Sequence, residues 1–338
     1  MFVEELRFRH PEADHQRREI SDDLDQWSTI YAIIDQHEEV LGTLRCTVLG
    51  DVPNQDEILE RRQLRPFAER FGVVSIATTS RFMLDRRIRK SSAIRRFIDV
   101  GVDLALARGV RFNFGETNSI WLRYFERLGY RRFTEGVNDP VFGYHLPIVM
   151  LVRDMSYLRR AKSPLLRLFA EHEHDREAAD WFARYASDYR ALSALEVGGS
   201  AHDRLLAIGV APASLAAWER SLPSLLYDDL ILHTDVLILR DGDILTTAGE
   251  VDQTAFVCLK GALRREDEHG RDCGTVTVGQ GFAEAEFFSG GIRRETTVAL
   301  ADTVVLILTA SHMRRIGRYP GVAEALFSKR PKDEGGQC

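Results

Sequence analysis

Glu284 and Arg293 flank a short helical turn in the run Gly281-Phe-Ala-Glu-Ala-Glu-Phe-Phe-Ser-Gly-Gly-Ile-Arg-Arg-Glu-Thr-Thr-Val-Ala-Leu300. An acid, the exposed N–H groups of a helix start and a guanidinium are the parts that recognition of a cyclic phosphate needs. The amides attract the anion, and the arginine clamps it with charge-assisted hydrogen bonds. Ala283, Arg294, Glu295 and Thr296 belong to the same candidate site. Glu286 works against it, because a carboxylate beside a phosphate is repulsive, and Arg294 stands where it could neutralise that charge. Two readings stay open: a ligand site, or a β-structure that keeps its fold without the ligand. His172 and His174 also have ligand chemistry. An i,i+2 pair faces two sides of a helix and no second cluster accompanies it, so the expectation is a solvated charged helix and no metal site.

The elements that must position these residues follow from the pattern. Val236–Asp243, Ala255–Leu263 and Ala301–Leu308 read as short strands broken at glycine, which makes the C-terminal third a small antiparallel β-roll. A terminal helix is expected around Ser311–Gly321 and a disordered tail over Lys329–Cys338. Upstream, a charged helical segment is expected over Glu12–Trp27, and a hairpin over Ser28–Asp35 and Val40–Leu49. Val73–Asp85 reads as a strand, and Ser91–Arg108 as a helix with apolar spacing that stops at Gly109. Val110–Gly115 reads as a strand, Asn118 caps a helix reaching Leu128, Gly129 stops it, and strands follow at Tyr130–Phe133 and Val149–Arg153. Alternation of strand and helix implies a mixed α/β layer. From about 155 to 228 several amphipathic helices are punctuated at Ser163-Pro164, Gly198-Gly199 and Pro212, with Trp181, Phe182 and Tyr185 expected in a core.

At 338 residues the chain is long enough for two or three domains. A net charge of -6 with interspersed signs argues against a nucleic-acid surface, despite the local basic run Arg86–Lys90. Cys46, Cys258, Cys273 and Cys338 have neither metal-type spacing nor disulfide density, which fits a reducing, cytoplasmic setting. The first residues carry charges where a signal peptide needs an apolar run, and no apolar run is long enough to span a membrane, so neither secretion nor a membrane span is expected.

Two resemblances sharpen this. The run from Gly281 to Leu300 resembles the phosphate-binding cassette of cyclic nucleotide-binding domains, which implies that Glu284 meets the ribose 2'-hydroxyl and Arg293 the phosphate of cAMP or cGMP. It departs from the family at Ala283 (glycine), Ile292 (proline) and Glu286 (a small residue). In the N-terminal half, Leu41-Gly-Thr-Leu-Arg45, Ala77-Thr-Thr-Ser-Arg-Phe-Met-Leu-Asp85, Tyr124-Phe-Glu-Arg-Leu-Gly-Tyr130 and His145-Leu-Pro-Ile148 resemble, in order, motifs of the GNAT acyltransferase superfamily, closest to N-acyl amino acid synthases and acyl-homoserine-lactone synthases. That resemblance implies a strand splayed from its neighbour to admit a pantetheine arm, whose phosphate rests on the loop opening the long helix. Arg89, Lys90, Ser91, Ser92 and Ala93 occupy that loop, and Ser80, Arg81 and Asn118 are further candidates. The alternative for the loop is a solvated basic helix start with serine caps, and for Arg81 a structural salt bridge.

The family glutamate before Ser-Arg is Thr78 here, so Glu116 becomes the candidate general base, with capping of the next helix as its other role. The family's thiolate-protonating tyrosine aligns with Phe125; Tyr124 is a candidate only if its helix is rotated, because neighbours turn about 100° apart. The expected fold is α+β: a GNAT-like mixed sheet with flanking helices over 1–155, a helical connector over 156–228, an antiparallel cyclic nucleotide-binding-like β-roll over 229–328 and a tail over 329–338. The expected function is N-acyl transfer from acyl-CoA or acyl-ACP to an amine or amino acid, regulated by a cyclic nucleotide. Acyl carrier protein and a second copy in a homodimer are compatible partners. The competing expectation is a non-catalytic sensor or scaffold.

Overall fold

Arg81, in the middle of a strand that runs Ile76–Leu84, adopts a left-handed backbone conformation at φ 52°. The computed structural model describes residues 13–14, 16–17, 19–85, 87–88, 93–139, 143–169, 171–196, 198–284, 291–319 and 321–327. Its contacts group into two compact units, Met1–Thr117 with Tyr124–Thr134 and Pro147–Ala186, and Asn118–Arg123 with Glu135–Leu146 and Ser187–Cys338.

In the first unit, β1 (Ala13–Asp14) and β2 (Glu19–Ile20) pair antiparallel, followed by a single 3-10 turn at Asp25–Trp27. This corrects the helix expected over Glu12–Trp27. Asp14 Oδ1 accepts the amides of Gln16 and Arg17, both at 2.9 Å, and such a side-chain turn competes with helix formation. The expected hairpin is present as β3 (Thr29–Ile34) and β4 (Val40–Val48), its turn tied by Asp35 Oδ1 to the amides of His37 and Glu39. Two short helices, α1 (Asp56–Arg61) and α2 (Arg65–Phe71), precede β5 (Ile76–Leu84). The long helix α3 (Ala93–Ala107) returns to β6 (Phe112–Thr117), parallel to β5, and Gly109 at φ 66° terminates it as expected. After α4 (Ser119–Leu128) come β7 (Tyr130–Arg132), β8 (Val137–Asp139) and β9 (Gly143–Leu151); the sheet order is β3-β4-β5-β6-β9-β7, with β8 beside β9.

The bulge at Arg81 decides which side chains face which way. Arg45 pairs with Ser80 and Thr43 with Met83, so Leu44 alone faces both Arg81 and Phe82. The extra residue shifts the strand's two-residue period. Phe82 and Leu84 thereby join Leu44, Cys46 and Phe97 of α3 in one apolar cluster. Pairing of β5 with β6 runs only over Ile76–Thr78 and Phe112–Phe114, although β5 continues to Leu84 and β6 to Thr117. On the other face Phe67 packs edge-on against Phe112, Phe114, Phe133 and Trp181 at centroid distances of 4.8 to 5.5 Å; of the three aromatics expected in a core, Phe182 is buried, Trp181 is half-buried and Tyr185 is exposed. Helices α5 (Met155–Arg160) and α6 (Arg176–Tyr185) complete the unit. His172 and His174 precede α6 in a turn, correcting the helix expected there; Asp175 starts the helix by accepting the Ala178 amide at 3.2 Å.

The second unit holds α7 (Ala201–Ala207), α8 (Ala216–Ser221) and α9 (Ser224–His233), then β10 (Val236–Leu239), β11 (Ile244–Thr246), β12 (Ala255–Lys260), β13 (Ala262–Glu266), β14 (Asp272–Thr277), β15 (Gly281–Phe282), β16 (Thr296–Ala299) and β17 (Thr303–Leu308). These strands form two four-stranded antiparallel sheets, β10-β17-β12-β15 and β11-β16-β13-β14, which make the β-roll. Its core is built from Val257, Leu259, Leu306 and Leu308 against Leu205, Leu226 and Leu230. The single terminal helix expected over Ser311–Gly321 is instead two, α10 (Ala310–Ile316) and α11 (Val322–Phe327). Residues 118–123 and 135–146 pack with this unit: Asn138 Nδ2 donates to Asp243 Oδ1 at 2.8 Å and the Tyr144 hydroxyl to the Ile238 carbonyl at 2.8 Å. The expected tail, 329–338, lies outside the described residues. Among the described residues no helix is long and apolar enough to cross a membrane.

Candidate functional site

The bulge turns Ser80 and Arg81 toward a four-charge cluster. Arg45 donates from Nε to Ser80 Oγ at 2.9 Å and from Nη1 to Asp22 and to Asp25 Oδ1, the latter at 2.8 Å. Arg81 donates to Asp22 Oδ2 at 2.9 Å, to Asp25 Oδ2 at 3.1 Å and to the Ile20 carbonyl. Burial works to raise the Asp22 pKa, but hydrogen bonds and charge from Arg45 and Arg81 outweigh it and hold the carboxyl below its ordinary value. The salt-bridge alternative for Arg81 is thus what the geometry displays, and Ser80 is an acceptor within it. Asp22 and Asp25 escaped the sequence reading because they fell in a segment read as helix; the clue was two acids close before a β-hairpin that carries Arg45.

Glu116, near the end of β6, has its carboxylate 3.3 Å from Arg62 Nη1. Burial lowers the pKa of Arg62, and Glu116 partly offsets that effect. Thr78 is buried where β5 and β6 still pair. Just beyond, Thr79 Oγ1 donates to Asn113 Oδ1 at 2.9 Å and Asn113 Nδ2 donates to the Tyr130 hydroxyl at 3.0 Å, a polar row that the sequence did not announce. Burial pushes the Tyr130 phenol upward.

Tyr124 and Phe125 diverge on α4. Phe125 packs against Phe82 at a centroid distance of 6.4 Å and Tyr130 at 5.6 Å. Tyr124, its pKa raised by burial, lines a cavity of about 230 Å³ with Arg95 and Ile98 of α3, Leu128, Leu165 and Arg167. Arg167 is neutralised by Asp99, 2.6 Å from each carboxylate oxygen. Apolar side chains and guanidinium groups share its lining. Asn118 directly precedes α4, where its carbonyl accepts the Trp121 amide at 3.3 Å. Arg89, Lys90, Ser91 and Ser92 lie outside the described residues, and Ala93 is the first residue of α3.

In the second unit the cassette residues are held by the roll itself. Ala283 sits at φ 63°, a conformation in which glycine is at ease and alanine is strained. Glu284 is half-buried and residues 285–290 lie outside the described set, Glu286 among them. Arg293 is buried, and Nη2 donates to Asp252 Oδ2 at 2.8 Å and Thr254 Oγ1 at 2.9 Å, while Nη1 reaches the Ala283 carbonyl only at 3.4 Å. Thr254 Oγ1 also lies 3.4 Å from Ser119 Oγ. Arg294 is exposed, Glu295 pairs with Arg265 at 3.4 Å, and Thr296 Oγ1 accepts the Ala248 amide at 3.1 Å. Asp252 was missed because it reaches Arg293 through the antiparallel bridge of Val251 and Ile292, a contact between segments far apart in sequence.

Residues 236–318 match the family model for the cyclic nucleotide-binding domain. The β-roll is that segment. Among curated proteins, no sequence matches the chain. Similar solved structures include FeeM, an N-acyl amino acid synthase from uncultured soil microbes, at 13% identity and TM-score 0.36 over 45% of this chain and 85% of that one. A cyclic nucleotide-binding-like protein from Brucella abortus is 23% identical over 30% of this chain and 90% of that one, with TM-score 0.26. The N-terminal domain of a transcriptional regulator from Streptomyces coelicolor is 23% identical over 32% and 79%, with TM-score 0.27.

Proposed function

We propose that the chain is an N-acyltransferase moving an acyl group from an acyl thioester, acyl-CoA or acyl-ACP, to an amine or amino acid, under the control of cAMP or cGMP at the β-roll. In this reading the transferase is residues 1–155, the connector 156–228 and the sensor 229–328. One observation carries it: β5 and β6 stop pairing after Thr78 and Phe114 while both strands continue. An opening between two strands that have ceased to pair can receive an extended amide-bearing arm by strand addition.

The chemistry asks little of side chains. Glu116 takes the proton from the attacking amine directly or through water, the amine nitrogen bonds the thioester carbon, and the carbon–sulfur bond breaks. The departing thiolate takes its proton from solvent; Tyr124 would supply it only with α4 rotated, since Phe125 is the neighbour that faces Phe82 of β5, at a centroid distance of 6.4 Å. Arg89, Lys90, Ser91, Ser92 and Ala93 would meet the carrier's phosphate, with Asn118 nearby in sequence. Ser80 and Arg81 act through the ion cluster that fixes the bulge. At the roll, Glu284 and Arg293 would take the ribose hydroxyl and the cyclic phosphate, with Ala283, Arg294, Glu295 and Thr296 around them.

Mass spectrometry of the protein incubated with acyl-CoA or acyl-ACP and an amino-acid and amine mixture tests this. A new acyl amide with stoichiometric thiol release is expected; neither product above background contradicts it. Thr78 and Phe125, in place of the expected glutamate and tyrosine, favour a second reading, a non-catalytic cyclic nucleotide sensor. That reading predicts calorimetric heat with cAMP or cGMP and no acyl amide.

A further inference from the structure

The buried guanidinium of Arg293 already has an anion. Its Nη2 is shared between Asp252 Oδ2 at 2.8 Å and Thr254 Oγ1 at 2.9 Å, and the side chain is only 1% exposed. Asp252 is itself fixed. Its Oδ1 accepts the Thr254 amide at 2.9 Å, its two oxygens lie 2.9 and 2.8 Å from the Thr254 hydroxyl, and its own amide donates to the Gly291 carbonyl at 2.6 Å. The pairing is built into the backbone, because the Arg293 amide donates to the Glu250 carbonyl at 2.8 Å and its carbonyl accepts the Gly249 amide at 2.8 Å. Glu250, its carboxyl pushed up by burial, adds a second acid beside Asp252.

The pairing is nonetheless incomplete. Among the described residues the buried Nε–H of Arg293 has no acceptor, and Nη1 has only the 3.4 Å contact to Ala283. A guanidinium carries five donors in a planar fork, so one edge of this one is engaged by Asp252 while other donors remain for a ligand oxygen. An incoming phosphodiester therefore shares its arginine with a fixed carboxylate of the same charge.

We propose that Asp252 is an internal competitor for Arg293 that weakens the roll's hold on an anionic ligand, so that the affinity for a cyclic phosphodiester is set as much by Asp252 as by the arginine. The inference rests on the reading of the β-roll as a cyclic nucleotide site. A single opposite charge within a few ångströms moves an ionisation equilibrium by roughly one to three powers of ten, and competition for one guanidinium acts on the same scale. Removing the Asp252 charge leaves the buried Arg293 uncompensated, which costs stability in the free protein and makes an external anion more welcome.

Calorimetric titration of cAMP and of cGMP into the full-length wild type, Asp252→Asn and Arg293→Ala, with melting curves of each at saturating nucleotide, tests this. Asp252→Asn should bind about tenfold or more tightly than wild type. It should also melt lower than wild type without nucleotide and gain a larger ligand-induced rise, since bound ligand stabilises in proportion to the logarithm of its saturation. Arg293→Ala should give no heat. Equal or weaker binding by Asp252→Asn overturns the inference and makes Asp252 a support that orients the arginine. Heat from neither wild type nor Asp252→Asn removes the nucleotide reading, and the inference with it. Should Asp252→Asn fail to fold, Thr254→Val supplies the comparison: it loosens the same carboxylate and should also tighten binding, whereas unchanged or weaker binding contradicts the competitor role.

Discussion

Arg81 and Arg45 share the carboxylates of Asp22 and Asp25, which come from the short ladder and 3-10 turn that precede the hairpin. Because the folded Asp22 carboxyl titrates below its unfolded value, its stabilisation is fully present above the unfolded pKa and is lost as the pH falls through the lower folded value. Asp154 and Asp175, also lowered in spite of burial, by Arg131 and Arg111 respectively, add to the same trend. Melting temperature should therefore fall steeply below about pH 4, and Asp22→Asn should start lower at neutral pH and show a shallower acid slope. A slope unchanged in Asp22→Asn would contradict the cluster. Ala283 offers a cleaner case. At φ 63° the residue bears left-handed strain, so Ala283→Gly should stabilise the fold by up to about 1 kcal/mol in urea unfolding, whereas a loss of stability would contradict that conformation.

Elements were far more legible than contacts. Apolar spacing over Ser91–Arg108 and the stop at Gly109 correspond to α3, and the run Tyr124–Tyr130 corresponds to the end of α4 and the start of β7. The bulge in β5 could not be read, since Ala77–Asp85 continues as an unbroken β-type run and only the register with β4 exposes the extra residue. The two faces of the sheet were hidden for the same reason: a shift by one residue exchanges inward and outward side chains. Gly129 ties α4 to its surroundings in a way that can be tested. It sits at φ 122°, and an added Cβ would lie 2.5 Å from Leu158 Cδ2. Gly129→Ala should cost about 1–3 kcal/mol, read as a lower urea midpoint with an unchanged slope. A neutral outcome would mean that α4 does not end as described.

At the scale of the whole molecule, the α+β class and the antiparallel roll followed from punctuation by glycine and from strand alternation, and the family match to residues 236–318 agrees with the cassette motif that announced it. Less visible was the use of residues 118–123 and 135–146, which pack with the unit containing the roll. A chain folds by contact, and hydrogen bonds such as Asn138 to Asp243 join residues that sequence order keeps far apart. We propose the parting of β5 and β6 as the seat of the acyl donor's arm. A crystal structure of the full chain with a non-hydrolysable S-alkyl coenzyme A tests that seat most directly. The pantetheine arm is expected between the distal halves of the two strands. A structure in which coenzyme A binds elsewhere, or in which protein side chains fill that opening and no ligand enters, would contradict it.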